Sequence, residues 1–401
     1  ESNKTYADRI IQKIGDKNLV INPPYQTMTE DEMDNSFDLP YTRLPHPKYK
    51  KRGAIPAYEM IRHSVNMHRG CFGGCSFCTI SAHQGKFIAS RSEKSILKEV
   101  EKVIEMPDFK GYISDLGGPS ANMYQLKGKV QSICDKCVSP SCIHPVVCSN
   151  LDTSHQKMID LLKKVDANPK VKKAFIGSGI RYDLLTKSFN KDGDDTMDEY
   201  LEQVVVNHIS GRLKVAPEHT ADDTLKIMRK PSFIHFKSFK RKYDFINKKH
   251  KLNQPLIPYF ISSHPGTGKE DMAELAAETK DLGFKLEQVQ DFTPTPMTVA
   301  TVIYYAGVHP YTMEPMNTAI EKDDKKDQNV FFFWHKKENQ QEIKKQLNKM
   351  KRPDLMKRLL GDTSKKELDK KQSKKSDSNK KSTWLDERRK KDKKRKKKFN
   401  S

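Results

Sequence analysis

At 401 residues, 35% hydrophobic and 31% charged, the chain has room for roughly two or three globular units and is more polar than an average folded domain. No apolar run approaches the ~20 residues of a membrane-crossing helix, and no basic start followed by an apolar stretch marks a secretory signal, so a cytoplasmic protein without membrane contact is expected. Half of the net charge of +22 sits in residues 362–401, where 18 Lys and Arg face 7 Asp and Glu, and this Lys- and Ser-rich end has the composition of a disordered basic tail.

The chain begins at Glu1 rather than Met, and an upstream region is expected to be missing. Over residues 1–60, YADRIIQKIG reads as a short helix and LVIN as a strand-like run. Prolines 23, 24, 40, 45, 47 and 56 then predict an extended lead-in or linker. From Ile61 onward short apolar runs alternate with amphipathic stretches of helical period. The predicted strands are IRHSVNMHRG, GYISDLGG, KKAFIGSG, RLKVAPEH, LIPYFISS and LEQVQDFT. The predicted helices are SEKSILKEVEKVIEM, SHQKMIDLLKKV, DTMDEYLEQVVVNHI, the pair ADDTLKIMRK and FIHFKSFKRKYDFINKK, and KEDMAELAAETKDLG. Thr153 with Gln156 and Thr267 with Glu270 read as helix N-terminal caps, and Gly283 as a C-terminal one. Repeated right-handed strand–helix units define an α/β fold, either an open doubly wound sheet or a full or partial barrel. In each of these, function gathers on the loops at the carboxyl ends of the strands. After Phe292 come TPTPMTVATVIYYAG, a charged joint EKDDKKDQ, an aromatic strand NVFFFW and two helical pieces ending near Leu360. Residues 311–361 therefore form an accessory segment.

All seven cysteines fall between Cys71 and Cys148. In a large chain without a secretory signal, such clustering points to metal binding or redox chemistry rather than a disulfide framework. HRGCFGGCSFCTIS sets Cys71, Cys75 and Cys78 just after the first strand, among Gly70, Gly73 and Gly74, which let the backbone wrap closely around an inorganic centre. Structural zinc normally takes four ligands from Cys-x-x-Cys pairs, whereas here the first gap is three residues and no fourth ligand is near. A cubane held by three thiolates leaves one iron open to another molecule.

The Cys-x-x-x-Cys-x-x-Cys loop, with Phe77 before its last cysteine, resembles the hallmark of radical S-adenosylmethionine (radical SAM) enzymes. RGCFGGCSFCTISAHQGKFIASRS, DLGGPSANMY, LKVAPEHTADDTLKIMRKP and PYFISSHPGT together are similar to the YgiQ-type radical SAM proteins over roughly residues 15–360. APEHTADDTLKIMRK and the SHPGT–helix step also resemble strand-end motifs of the tRNA methylthiotransferase relatives. The resemblance implies a partial (β/α)6 barrel over residues 61–310 with a cysteine-rich insert at 119–150. It implies a 4Fe–4S cluster on Cys71, Cys75 and Cys78, whose unique iron is chelated by S-adenosylmethionine, and an electron donor such as flavodoxin or ferredoxin. The implied chemistry is reductive cleavage to methionine and a 5′-deoxyadenosyl radical, which abstracts hydrogen from a substrate that no motif identifies. By the same resemblance Phe77 contacts adenine through its backbone, and Asp115, Gly117 and Gly118 lie beside the methionine moiety. Ser178, Arg181 and Glu218 reach the ribose hydroxyls or the cofactor carboxylate. His219 and His264 read equally well as neutral structural residues.

A second group, CDKCVSPSCIHPVVC, carries Cys134, Cys137, Cys142 and Cys148. Four thiols can close a second iron–sulfur or zinc site, with His144 as a substitute ligand, or can simply pack the insert. Together with a tail that neutralises phosphates without reading sequence, this group supports an alternative: a metal-stapled RNA-binding or RNA-modifying protein with weak nucleic-acid contact.

Overall fold

A computed structural model describes residues 8–23 and 25–361, so the basic tail expected over 362–401 lies outside the described residues. The described residues divide into two compact units, one running to residue 275 and including 286–332, the other made of 276–285 and the residues from 333 onward.

All six predicted barrel strands form, in sequence order and parallel. Ser64–Asn66 pairs with Asp115–Gly117 in the register Ser64↔Asp115, Val65↔Leu116 and Asn66↔Gly117. Tyr112–Ile113, one residue upstream on the same strand, pairs with Lys173–Ala174. Leu213–Glu218, Leu256–Ser262 and Gln288–Asp291 form a second parallel ladder. At the break between these ladders, Ile176 N donates to the His208 carbonyl at 2.9 Å. Such a run of parallel strands with one interruption is a partial barrel, the α/β architecture expected from the sequence. The Leu256–Ser262 strand is buried along almost its whole length, as strands covered on both faces are. Pro258 lies at its register shift against Leu213–Glu218, a place where a residue without an N–H is tolerated in a central strand.

The helices follow apolar periodicity. Glu93–Ile104 buries Ile96, Val100, Val103 and Ile104 and starts at Ser92, whose hydroxyl accepts from Ser95 N at 3.1 Å. Gln156–Asp166 buries Met158, Ile159, Leu161, Leu162 and Val165. Its expected Thr153 cap does not form. The N-cap is His155, whose N–H donates to Thr196 Oγ1 at 2.8 Å, so a tertiary contact replaces the local one. At Lys269–Asp281 the Asp271 carboxylate accepts from Gly268 N at 2.7 Å, while the Thr267 hydroxyl turns to Thr224. Gly283, at φ +81°, terminates that helix as the sequence predicts.

Three segments depart from the sequence reading. The described part of YADRIIQKIG, from Asp8, is not helical: Ile10–Ile14 pairs antiparallel with Lys17–Ile21 across a Gly15–Asp16 turn with Gly15 at φ +60°. A two-residue turn between β-branched runs outweighs the weak helical period. The Pro-rich lead-in contains an unforeseen helix, Glu30–Asp38, opened by a reciprocal Thr29/Glu32 capping box. It buries Met33, stacks Phe37 on the Arg91 guanidinium at 4.2 Å and receives Ser92 N on Asp34 at 2.9 Å. NVFFFW is not a strand, and its adjacent Phe331 and Phe332 are both buried. They sit on one 3₁₀ turn after the helix Lys322–Asn329. In the second unit, Gln340–Lys349 and Pro353–Leu360 bury Ile343, Leu347, Leu355 and Leu359.

Met33 is 1% exposed, so Met33→Ala is expected to cost roughly 2–5 kcal/mol of stability, read by chemical denaturation, through the cavity it leaves under the lead-in helix.

Candidate iron–sulfur and cofactor site

The three-cysteine loop leaves the barrel after a short antiparallel pairing of His68–Arg69 with Ala89–Ser90. Cys71 N donates to the Gly85 carbonyl at 3.0 Å, and Cys78 N to the Cys75 carbonyl at 3.2 Å. From the far side Ser76 N bonds the Met228 carbonyl at 3.0 Å, and Ala300 N bonds the Ser76 carbonyl at 2.9 Å. Two glycines are required by this path. Gly70 has φ +90° and Gly74 φ +61°, and a Cβ at either would run into backbone, Phe87 and Pro140 respectively.

Burial pushes the Cys71 thiol up to about 11 and raises that of Cys78. The compensating charge is Arg181, whose Nη1 lies 3.6 Å from Cys75 Sγ. Burial opposes that guanidinium, but Asp183 and the Cys75 and Cys71 sulfurs more than offset it and hold its pKa well above the usual value. Asp183 is fully buried and accepts from Arg181 Nε at 3.0 Å, from Arg181 Nη2, and from Leu184 N at 3.1 Å. Asn122 grips the Arg181 backbone from both sides, accepting from its N–H at 2.7 Å and donating to its carbonyl at 3.0 Å. A buried cation aimed at converging thiols suits a net-negative cluster. Among the described residues no three His, Cys, Asp or Glu side chains converge tightly enough for a single metal ion. A cubane, whose irons take one thiolate each, spaces its ligands more widely than one tetrahedral ion does.

The residues expected to hold the cofactor occupy the strand ends, but several are committed to one another. Asp115 accepts from Gly177 N at 2.8 Å, Ser178 N at 3.0 Å and Ser178 Oγ at 3.1 Å, joining the second strand end to the third. Burial raises the Asp115 pKa, and these bonds oppose the rise. Gly118 N donates to Ser178 Oγ at 3.3 Å. A Cβ on Gly117 would strike the Ser178 hydroxyl, and one on Gly118 the His68 ring. This pair of glycines thus makes room for side chains, a role the sequence does not display. Arg181, with Asp183 and Cys75 already engaged, braces the cluster loop.

Glu218 ends the fourth strand in the left-handed region at φ +71°, and Ser263 follows the fifth strand at φ +60°. Non-glycine residues held there carry strain that concentrates at functional sites. Burial raises the Glu218 pKa against the opposing charges of Lys230 and Arg181. Lys230 Nζ is anchored on the Ala216 carbonyl at 2.6 Å. Phe77 meets the His264 ring edge-on at 5.9 Å, bringing the cluster loop against the end of the fifth strand. His219 accepts Ala221 N on Nδ1 at 3.0 Å, and His264 Nδ1 lies 2.9 Å from the Pro265 carbonyl. Burial drives the pKa of His219 to about 3 and that of His264 to about 4, so both rings are neutral. Among the described residues, buried His219 Nε2, His264 Nε2, Ser76 Oγ and Ser263 Oγ have no hydrogen-bond partner. All four atoms are closed off from solvent, and unmet polar atoms of this kind call for a partner such as an ordered water or a bound polar group. The bracing residues His68, Asn122 and Lys230 lie within the quoted motifs and Asp183 two residues after Arg181, but nothing in the sequence marks their bracing role.

In the insert, Cys134 receives Asn150 Nδ2 at 3.3 Å and Cys137 receives Lys86 Nζ at 3.2 Å. Burial raises the Cys142 pKa to about 12 and lowers that of His144.

The sequence of the core matches the radical SAM superfamily over residues 65–279, flanked by a radical SAM N-terminal family at 1–64 and a domain of unknown function (DUF3362) at 287–400. The chain belongs to the radical SAM superfamily. Within it, the chain is 58% identical over 371 residues to a UPF0313 protein of Porphyromonas gingivalis, covering 92% of this chain and 58% of that one. It is 60% identical over 367 residues to a UPF0313 protein of Bacteroides thetaiotaomicron, covering 91% and 59%. The resemblance to YgiQ-type proteins holds, and the chain spans about three-fifths of the length of these curated relatives. Among solved structures it matches TsrM of Kitasatospora setae, a radical SAM methyltransferase with cobalamin and a 4Fe–4S cluster bound. That match has 14% identity and a TM-score of 0.43, over 75% of this chain and 47% of that one. Among the described residues no helix is long and apolar enough to cross a membrane.

Replacing Asp183 by Asn leaves Arg181 buried without its anion, and a loss of roughly 3–5 kcal/mol is expected at pH 7. Burial raises the Asp183 pKa, but the charge and hydrogen bonds of Arg181 outweigh it and hold the carboxyl below its ordinary value. The stabilisation is therefore present above the unfolded pKa of 3.8 and lost as pH falls through the lower native one. Denaturation curves of wild type and Asp183→Asn should differ by a constant amount from pH 5 to 8 and converge only in stronger acid.

Proposed function

We propose that this chain is the catalytic core of a radical SAM enzyme acting on an unidentified substrate. The observation that carries the reading is the loop of Cys71, Cys75 and Cys78 at the carboxyl end of a partial barrel, with the buried Arg181 guanidinium against the Cys75 and Cys71 sulfurs. These three thiolates would hold a 4Fe–4S cluster. When bound, that cluster and S-adenosylmethionine supply a 5′-deoxyadenosyl radical by one-electron reductive cleavage of the sulfonium, the electron coming from a flavodoxin- or ferredoxin-like donor. The protein's own contribution is positioning. Arg181 balances the charge of the thiolates, and Phe77 fixes the loop against His264. Glu218, buried and held in a left-handed backbone conformation at its strand end, would accept from cofactor hydroxyl or ammonium groups. The neutral imidazoles of His219 and His264 offer Nε2 atoms to the same rim without adding charge.

Anaerobic reconstitution with iron and sulfide, then reduction with S-adenosylmethionine present, is expected to yield 5′-deoxyadenosine and methionine. Cys71→Ala, Cys75→Ala or Cys78→Ala should each abolish it, and product formation undiminished by these changes would refute the reading. Glu218→Gln is expected to weaken S-adenosylmethionine binding about tenfold in titration calorimetry, since a hydrogen bond to a charged group is worth roughly 1.5–3 kcal/mol. An unchanged affinity would remove Glu218 from the cofactor site.

A further inference from the structure

The cysteine-rich insert is sewn onto the three-cysteine loop. Cys142 N donates to the Phe72 carbonyl at 3.0 Å and Ser141 Oγ to the Gly73 carbonyl at 2.8 Å. Cys142 and Cys71 pack against one apolar cluster containing Phe72, Ile143 and Leu151. Two local closures set the thiols: Cys137 N bonds the Cys134 carbonyl at 3.0 Å, and Cys148 N bonds the Cys142 carbonyl at 2.8 Å. The result is a pocket of about 310 Å³ walled by Cys134, Cys142, Cys148 and Lys86.

Three features specify its occupant. Lys86 is 1% exposed, with its ammonium on Cys137 Sγ at 3.2 Å and the Ser139 carbonyl at 2.6 Å. A buried cation among thiols calls for anionic sulfur. A Cβ at Gly128 would meet Cys134 Sγ, so the missing side chain leaves that sulfur its room in the wall. Finally, a zinc ion at ~2.3 Å from each sulfur would draw four thiolates to within about 4 Å of one another. No three of these side chains converge in that way, and the pocket they line is far larger than a bare ion. Three thiols spread around a roomy cavity, with a fourth, Cys137, beside them on Lys86, suit a cluster of several irons and sulfides.

We infer that Cys134, Cys137, Cys142 and Cys148 hold a second, polynuclear iron–sulfur cluster, with Lys86 donating to its thiolate shell. Cys148 is exposed while Cys142 packs against Phe72, so the second site lies between solvent and the first. The inference does not depend on cofactor cleavage at the first site.

The test is anaerobic reconstitution of the triple variant Cys71→Ala/Cys75→Ala/Cys78→Ala, with its fold checked by circular dichroism. It should retain about two to four irons and matching acid-labile sulfide per chain, with charge-transfer absorption and an EPR signal on reduction. All of these should disappear when Cys134→Ser and Cys148→Ser are added. A folded triple variant that binds no iron, or binds zinc in its place, would overturn the inference. Should the triple variant not fold, iron is counted in wild type against Cys134→Ser/Cys148→Ser. A drop to about half supports the second cluster, and equal iron content refutes it. Lys86→Met should lower the reduction potential of the insert's EPR signal by removing a neighbouring positive charge, and an unmoved potential would remove Lys86 from the site. Wild type that makes 5′-deoxyadenosine with iron for one cluster only would sink this inference alone. Iron retained in the insert without any cofactor cleavage would sink the reading of the first site alone.

Discussion

The arrangement at the carboxyl end of this barrel depends on one buried charge. Arg181 sits in the interior with Asp183 on one side and the Cys75 sulfur on the other, and Asn122 fixes its backbone. Removing a guanidinium from water is costly unless it is paired, and here the pairing is divided between a carboxylate inside the protein and the thiols of the cluster loop. Because the third strand's loop supplies the arginine and the first strand's loop the sulfurs, this interaction joins two βα units that no backbone ladder joins directly. It also tunes the site, since the same charge counters the desolvation that keeps the Cys71 thiol protonated.

Around that charge the strand ends are locked to one another. Asp115 receives three donors from Gly177 and Ser178, Gly117 and Gly118 clear space for Ser178 and His68, and Phe77 abuts His264. Polar groups that leave this network without a protein partner, His219 Nε2, His264 Nε2, Ser76 Oγ and Ser263 Oγ, lie where Glu218 and Ser263 adopt left-handed backbone conformations. Rigid bracing on one side and unmet polar capacity on the other is the division expected of a site preorganised for a ligand. The insert extends the same scheme, for Phe72 and Gly73 serve as its backbone acceptors while Cys71 shares its apolar cluster.

Much of the fold was legible because strand and helix periods act locally. The alternating apolar runs locate all six barrel strands, and the apolar spacing of Glu93–Ile104 and Gln156–Asp166 locates those helices within a residue or two. Legibility failed where local signals were weak or outvoted. The Ile10–Ile21 hairpin was masked by a fortuitous helical spacing, the Glu30–Asp38 helix by flanking prolines, and the Thr153 cap by the better tertiary partner Thr196. The FFF run shows the opposite error, since high strand propensity yielded to a turn that buries two adjacent rings.

By itself the sequence determined the chemistry of the centre. Three thiols in eight residues, set among glycines after a strand, are covalently tied to one loop, so their proximity survives any uncertainty about the rest of the chain. What the tertiary structure decided are the charges and contacts that come from far along the chain. Arg181 lies 106 residues from Cys75, and Lys86 lies 51 from Cys137. Asp115, expected beside the cofactor, also ties two strand ends together through its Oδ1. The sequence shows Arg181 and Lys86 but not the pairings they make, because burial alone gives those contacts their energy: an arginine or lysine is unremarkable until folding removes its water and leaves a sulfur as its nearest anion.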